Sequence, residues 1–82
     1  MEVKSHRKGV EIMAYTRVEA LRRTYKPGTR IELIHMEDAH SVPPGTQGTV
    51  DYVDDAGNIH MKWDNGRTLS LIEEADKFKR IL

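Results

Sequence analysis

The chain has 82 residues, with 13 Lys or Arg balanced by 13 Asp or Glu and no cysteine. That length holds one domain, which buries only about 60% of the surface its unfolded chain exposes, and the lack of thiols excludes disulfides, thiolate zinc sites and cysteine nucleophiles. No apolar run approaches the ~20 residues of a membrane-spanning helix, and Met1-Glu2-Val3-Lys4 leads into charge rather than a signal-peptide core, so a cytoplasmic protein with no membrane contact is expected.

The charges are segregated along the chain. Residues 1–30 hold eight Lys or Arg against three acids (+5), residues 31–76 hold two against ten (−8), and the last six residues restore +3. A polarised surface follows, able to steer a charged partner over the ~8–10 Å that ordinary salt allows.

In chain order, residues 1–12 show no clean apolar period and read as a flexible or weakly helical tail, with Met13 opening a segment that would itself make a sensible start. Residues 13–82 read as a single domain. Thr16-Arg17-Val18-Glu19 fits a capping box, so a helix is predicted over about residues 16–25, with Val18, Leu21 and Tyr25 in one apolar stripe. Pro27-Gly28 ends it. So short a helix is not stable alone in water, and its stripe is expected to cover one open end of whatever follows.

A first strand is predicted over Thr29–Met36, although Ile34 breaks the alternation, and both strand faces are expected to be partly covered there. Glu37–Gly45 is the longest irregular piece, and Pro43-Pro44 keeps it out of a paired ladder. It is the expected recognition loop. Gln47–Asp54 forms a second strand, Asp54–Asn58 a turn whose carboxylates bond local amides, and Asn58–Trp63 a third strand with Ile59, Met61 and Trp63 on one face. Asp64-Asn65-Gly66 carries a type I′ signal, leading into a fourth strand over Thr68–Ile72. Glu74–Phe78 fits one 3₁₀ turn and Lys79–Leu82 a closing strand. The expected fold is mainly β: an SH3-like small five-stranded β-barrel with a short N-terminal α-helix and a 3₁₀ turn before the last strand.

Residues 25–82 resemble an uncharacterised bacterial domain-of-unknown-function family, common in phages and mobile elements. The likeness rests on Tyr25-Lys26-Pro27-Gly28-Thr29-Arg30, Met36-Glu37-Asp38, Pro44 to Val50, Asp54-Asp55-Ala56-Gly57, Lys62 to Gly66 and Leu69-Ser70-Leu71-Ile72. The resemblance implies an SH3-like barrel in a mobile-element setting and supplies no catalytic residue. A looser Gly-Thr-Val then Trp-Asp-x-Gly rhythm is shared with other SH3-like and KOW-type domains that bind nucleic acid or peptides.

None of the three serines, Ser5, Ser41 and Ser70, sits in a nucleophile elbow, and no glycine pattern makes a phosphate loop. The expectation is no enzyme and no cofactor. His35, His40 and His60 with Glu37 and Asp38 supply metal-type donors, but the gap from His35 to His40 matches no standard ligand spacing. No metal site is assigned, and His60 is expected to face outward beside Lys62. Trp63 is expected in the core with its indole N–H bonded at the rim.

Two binding surfaces emerge. Met36, Pro43, Pro44 and Tyr52 are the expected protein-binding residues; plain packing is the leading reading of the Tyr52 ring, and a shallow aromatic groove between its phenol and the proline pair is the alternative. Arg17, Arg22, Arg23, Lys26 and Arg30 are the alternative nucleic-acid-binding set, suited to phosphate contacts, although few aromatics are free to stack on bases. The expected function is a protein–protein adaptor. Its alternatives are a nucleic-acid-associated module and an inhibitor of a host defence protein; monomer and homodimer are both left open.

Overall fold

The computed structural model describes residues 15–38 and 40–81. The segment read as a tail, residues 1–12, lies outside the described residues, as does Leu82 at the end of the expected last strand. Five antiparallel strands, β1 (Arg30–His35), β2 (Gln47–Val53), β3 (Asn58–Trp63), β4 (Leu71–Ile72) and β5 (Lys77–Ile81), form one open sheet in the order β4-β3-β2-β1-β5. One helix, α1, covers residues 15–24.

Alternation decides which side chains point inward. Ile31 and Leu33 of β1, Val50 of β2 and Ile59, Met61 and Trp63 of β3 are all buried at period two. Two bulges reset the phase. Ile34 faces solvent at 48% exposure as the alternation from Ile31 and Leu33 requires, and the register with β5 slips between Leu33 and His35, which leaves His35 outside as well and brings Met36 inward. The expected partial cover of both faces holds for Arg30 and Glu32, which are half-buried on the outward side, and ends at the bulge, whose extra residue is unpaired and shifts its neighbours. A second slip between Val50 and Tyr52 returns Val53 to the core and leaves Tyr52 outside. Gly48 is required by close approach, because a Cβ there would sit 2.7 Å from Cε3 of Trp63.

Both β-hairpin turns share one construction. Gly57 N donates to Asp54 O while Asp54 N donates to Asn58 O, and Gly66 N donates to Trp63 O while Trp63 N donates to Arg67 O. Within each of these two turns only the glycine, Gly57 (φ 87°) or Gly66 (φ 88°), has positive φ. Asp64-Asn65-Gly66 is therefore not type I′, which would need two such residues, but a turn closed by one left-handed glycine. The carboxamide of Asn65 accepts from Arg67 N, and the carboxylate of Asp54 accepts from Ala56 N and Asn58 N. These side-chain bonds favour an ordinary first half of the turn.

Other boundaries also differ from the sequence reading. The fourth strand shrinks to Leu71–Ile72, because Leu69 O is taken by the Trp63 indole N–H at 2.8 Å. The segment after it is a turn rather than a 3₁₀ helix: Ala75 N and Asp76 N both donate to Ile72 O, and the Asp76 carboxylate accepts from Ile72 N. Strand β5 starts at Lys77, two residues early, since Phe78 pairs with Leu33. Residue 15 is already helical, which places Thr16 inside α1 and not at its cap.

Helix α1 lies across one end of the sheet. Its Val18 and Leu21 are buried, each contributing roughly 1.5–3 kcal/mol relative to exposure. They approach Gly57 of the β2–β3 turn at 3.8 and 3.5 Å from the position of a Cβ. Arg17 pairs with Glu74 at 3.1 Å, and the Tyr25 ring meets Phe78 of β5 edge-on at 5.5 Å. The stripe predicted from sequence thus packs onto the sheet end.

The opposite end is filled by the chain itself. Met36 and Val42 are buried, Val42 completely, so the Glu37–Gly45 loop is pinned from within. Arg67 donates to His40 O from outside. Gly45 N and Thr46 O bond Leu33, tying the loop's exit to β1.

Candidate functional site

A groove of about 260 Å³ lies between the end of α1 and β2, lined by Arg22, Tyr25, Pro27, Tyr52 and Val53. Tyr52 is half exposed because the β2 bulge turns it outward. Its ring stacks on His60, its cross-strand partner, with centroids 4.3 Å apart and planes 5° from parallel. His60 Nε2 lies 2.8 Å from Asp54 Oδ2, and Ser70 Oγ lies 3.4 Å from His60 Nδ1. The outward face of Tyr52 is therefore held in place by a layer of polar side chains behind it.

Asp54 anchors that layer. The bond from His60, then the amide of Asn58, hold its carboxyl well below the usual carboxylate range. Ser70, His60 and Asp54 stand in the order of a hydrolytic triad, but Asp54 also accepts from the Ala56 and Asn58 amides and the Asn58 side chain, and neither His60 nor Ser70 lines the Tyr25–Tyr52 groove. The arrangement orients an aromatic ring. His60 faces outward as the alternation requires, but the company of Asp54, Ser70 and Tyr52 was not visible in the sequence, since it depends on the bulge and on where the β4 segment runs.

The other wall is made by Tyr25, whose hydroxyl is pushed up by burial, with Glu73 adding to the shift and Arg80 opposing it. Arg22 closes the floor: its Nε donates to Val53 O at 3.2 Å and its guanidinium reaches Asp55 at 2.7 Å and Glu19 at 3.3 Å.

Of the expected protein-binding residues, only Tyr52 belongs to this groove. Pro43 and Pro44 are exposed at the far end of β2, beside Gln47, and five residues of strand at ~3.3 Å each put Tyr52 roughly 16 Å away. The alternative, a groove between Tyr52 and the proline pair, is thus not formed. Met36 is buried and supports the loop from below rather than facing a partner. Tyr25 and Pro27 are the missed members. They appeared in the sequence only as a stripe residue and a helix stop.

The basic set is also divided. Arg17 pairs with Glu73 and Glu74, Arg22 with Glu19 and Asp55, and Arg30 forms a two-pronged pair with Asp64 at 2.8 and 2.6 Å. The Arg30 fork holds the Asp64 carboxyl low. Arg23 and Lys26 are exposed, and among the described residues no carboxylate pairs with either. No group of three His, Cys, Asp or Glu among the described residues is placed to hold a metal ion, and no described helix is long and apolar enough to cross a membrane.

A family model described as Domain of unknown function (DUF4314) matches residues 14–81. The chain belongs to this family. The match takes in α1 as well as the sheet, so the helix that builds one wall of the groove is part of the DUF4314 domain. No curated protein and no solved structure matches the chain.

Proposed function

We propose that this DUF4314 domain is a non-catalytic protein-interaction adaptor that takes an extended peptide in the Tyr25–Pro27–Tyr52 groove. The observation that carries the reading is the exposed Tyr52 ring, backed by His60 and facing a wall of Tyr25 and Pro27. A rigid aromatic presented at low entropic cost is the usual anchor of a binding surface. Aromatic-lined grooves with a proline wall suit extended, proline- or aliphatic-containing segments.

The fold proposed with it is an SH3-like barrel. It is supported by the strand order, in which β5 returns to pair β1 while β2, β3 and β4 follow in a meander, and by the helix across one end. A cytoplasmic, phage or mobile-element setting belongs to the same proposal and rests on the family resemblance. The nucleic-acid alternative retains only Arg23 and Lys26 of its five cations without a carboxylate partner, which is why the protein reading leads.

Affinity capture from an extract of the cells that make the protein tests the placement. Wild type and a Pro43→Ala/Pro44→Ala variant should retain the same partner, and Tyr52→Ala should lose it while keeping its circular dichroism spectrum. Retention by Tyr52→Ala and loss by the proline variant would move the site to the loop.

A further inference from the structure

The cations of this domain fall into two groups. Arg17, Arg22, Arg30, Lys62 and Lys79 each lie within 4 Å of a carboxylate. Among the described residues Arg23, Lys26, Arg67, Lys77 and Arg80 do not, and of these Arg23, Lys26 and Arg80 gather around the end of α1. Arg80 reaches from β5 to the end of α1, where its Nη1 donates to Thr24 O at 3.3 Å. Arg23 and Lys26, both exposed, stand on either side of Thr24 and the partly buried Tyr25 in the chain. One bond to a helix-terminal carbonyl uses only one of the five guanidinium donors, so Arg80 keeps others for a ligand.

Lys26 stands between Tyr25 and Pro27, two residues that line the aromatic groove. On the other side of the Pro27-Gly28 turn a second, wider groove of about 480 Å³ is lined by Gly28, Thr29, Arg30, Arg80 and Ile81. The Tyr25–Arg30 segment is therefore a shared wall, apolar and aromatic on one side and basic on the other. At the far rim Asp54 and Asp55 follow directly on Tyr52 and Val53. Asp55 is paired with Arg22 and Asp54 is bonded to His60 and the turn amides, so that rim carries carboxylates and its one lining cation, Arg22, is already paired.

We infer that the peptide taken by this groove is acidic at one end: a proline or aliphatic anchor lies on Tyr52, Tyr25 and Pro27, and Asp or Glu side chains extend over the turn to Lys26, Arg23 and Arg80. The inference rests on the groove reading above. Charge complementarity selects the occupant. A peptide places charge at one end and leaves the other neutral beside Asp54 and Asp55. A phosphodiester strand carries charge at every unit, so part of it would lie against those carboxylates, and in the groove it would find only the Tyr25 and Tyr52 rings for its bases.

The test is selection of a randomised, displayed decapeptide library on the full chain, followed by titration of a selected, fluorescein-labelled peptide at about 50 mM salt, where exposed charges are weakly screened. The selected pool should be enriched in Pro or aliphatic residues with Asp or Glu on one side only. Lys26→Glu/Arg80→Glu should weaken the selected peptide about tenfold, the scale of two exposed ion pairs turned repulsive. Lys62→Glu/Lys77→Glu, with the same change in net charge elsewhere, should weaken it less than about twofold. A pool without acidic enrichment, equal losses in the two variants, or an oligothymidine probe binding more tightly than any peptide would each overturn the inference. A pool drawn equally by wild type and Tyr52→Ala would instead remove the groove reading on which it stands.

Discussion

The two ends of this sheet are closed by different means. At one end a separate helix, α1, lies across the β2–β3 turn and is held by Val18, Leu21 and the Arg22–Asp55 pair, so a cleft remains between helix and sheet at Tyr25 and Tyr52. At the other end the 37–45 loop closes the sheet by putting Val42 and Met36 into the core, next to a Trp63 whose indole N–H is bonded to Leu69 O. A segment that is itself part of the core has little freedom to reshape around a partner. The junction between two separate elements is where concave surface forms. The long irregular loop, which draws attention in the sequence, is a plug.

The comparison is broken most forcefully at its aromatic residues. Trp63→Ala should cost about 3–5 kcal/mol, enough to unfold much of the population of so small a domain, whereas Tyr52→Ala should cost about 1 kcal/mol, the scale of a lost ring stack. Urea unfolding of both variants checks this, and similar losses would mean that Tyr52 is a core residue. Next come the loop variants. Val42→Ala should cost about 2 kcal/mol, the worth of a fully buried valine side chain, while Pro43→Ala/Pro44→Ala should change stability by less than about 1 kcal/mol in either direction. Equal effects would show that the loop is not pinned from within.

Gly57 and Gly66 sharpen the comparison further. Both have positive φ, so alanine at either should cost about 1–2 kcal/mol in backbone strain. Only a Cβ at Gly57 would also meet the helix, 3.5 Å from Leu21 Cδ1, whereas one at Gly66 meets nothing within 4 Å. That contact is ordinary, so thermal melts should show similar losses, and a much larger loss at Gly57 would mean that α1 sits closer to the turn than described.

The smallest effect is on acid stability. The Asp54 and Asp64 carboxyls are both held low when folded, Asp54 first by His60 and Asp64 first by Arg30. A depressed folded value means that the unfolded chain binds the proton more readily. The contribution is therefore complete above the unfolded pKa of ~3.9 and is lost as pH falls through the folded value. Urea midpoints from pH 7 to 3 should fall less in Asp54→Asn than in wild type. Asp64→Asn should flatten the acid limb by a smaller amount, because the Asp54 shift is the large one. An unchanged slope in Asp54→Asn would remove the His60–Asp54 bond from the account.

Local chemistry was legible and long-range placement was not. The third strand, Asn58–Trp63, has the bounds that its alternation and flanking turns predict, and the helix stripe of Val18, Leu21 and Tyr25 faces inward as its spacing requires. Val42 gave no signal, since a lone apolar residue before Pro43-Pro44 has no period to reveal it. The groove was hidden for a similar reason. It depends on the bulge at Asp51 that turns Tyr52 outward, and on where the Pro27-Gly28 turn lands beside β2, which Gly28 N fixes by donating to Val50 O. Ion pairing was equally invisible: Arg17, Arg22 and Arg30 looked like a basic face until Glu74, Asp55 and Asp64 arrived from distant parts of the chain.

The most direct test of the groove is to map amide chemical shifts in the ¹⁵N-labelled protein as a library-selected peptide is added. The account predicts that perturbed amides cluster at residues 22–28 and 52–53, with Arg80 shifting when the peptide is acidic and the 37–45 loop unmoved. Perturbations centred on Glu37 to Gly45, with Tyr25 and Tyr52 silent, would contradict it and return recognition to the loop.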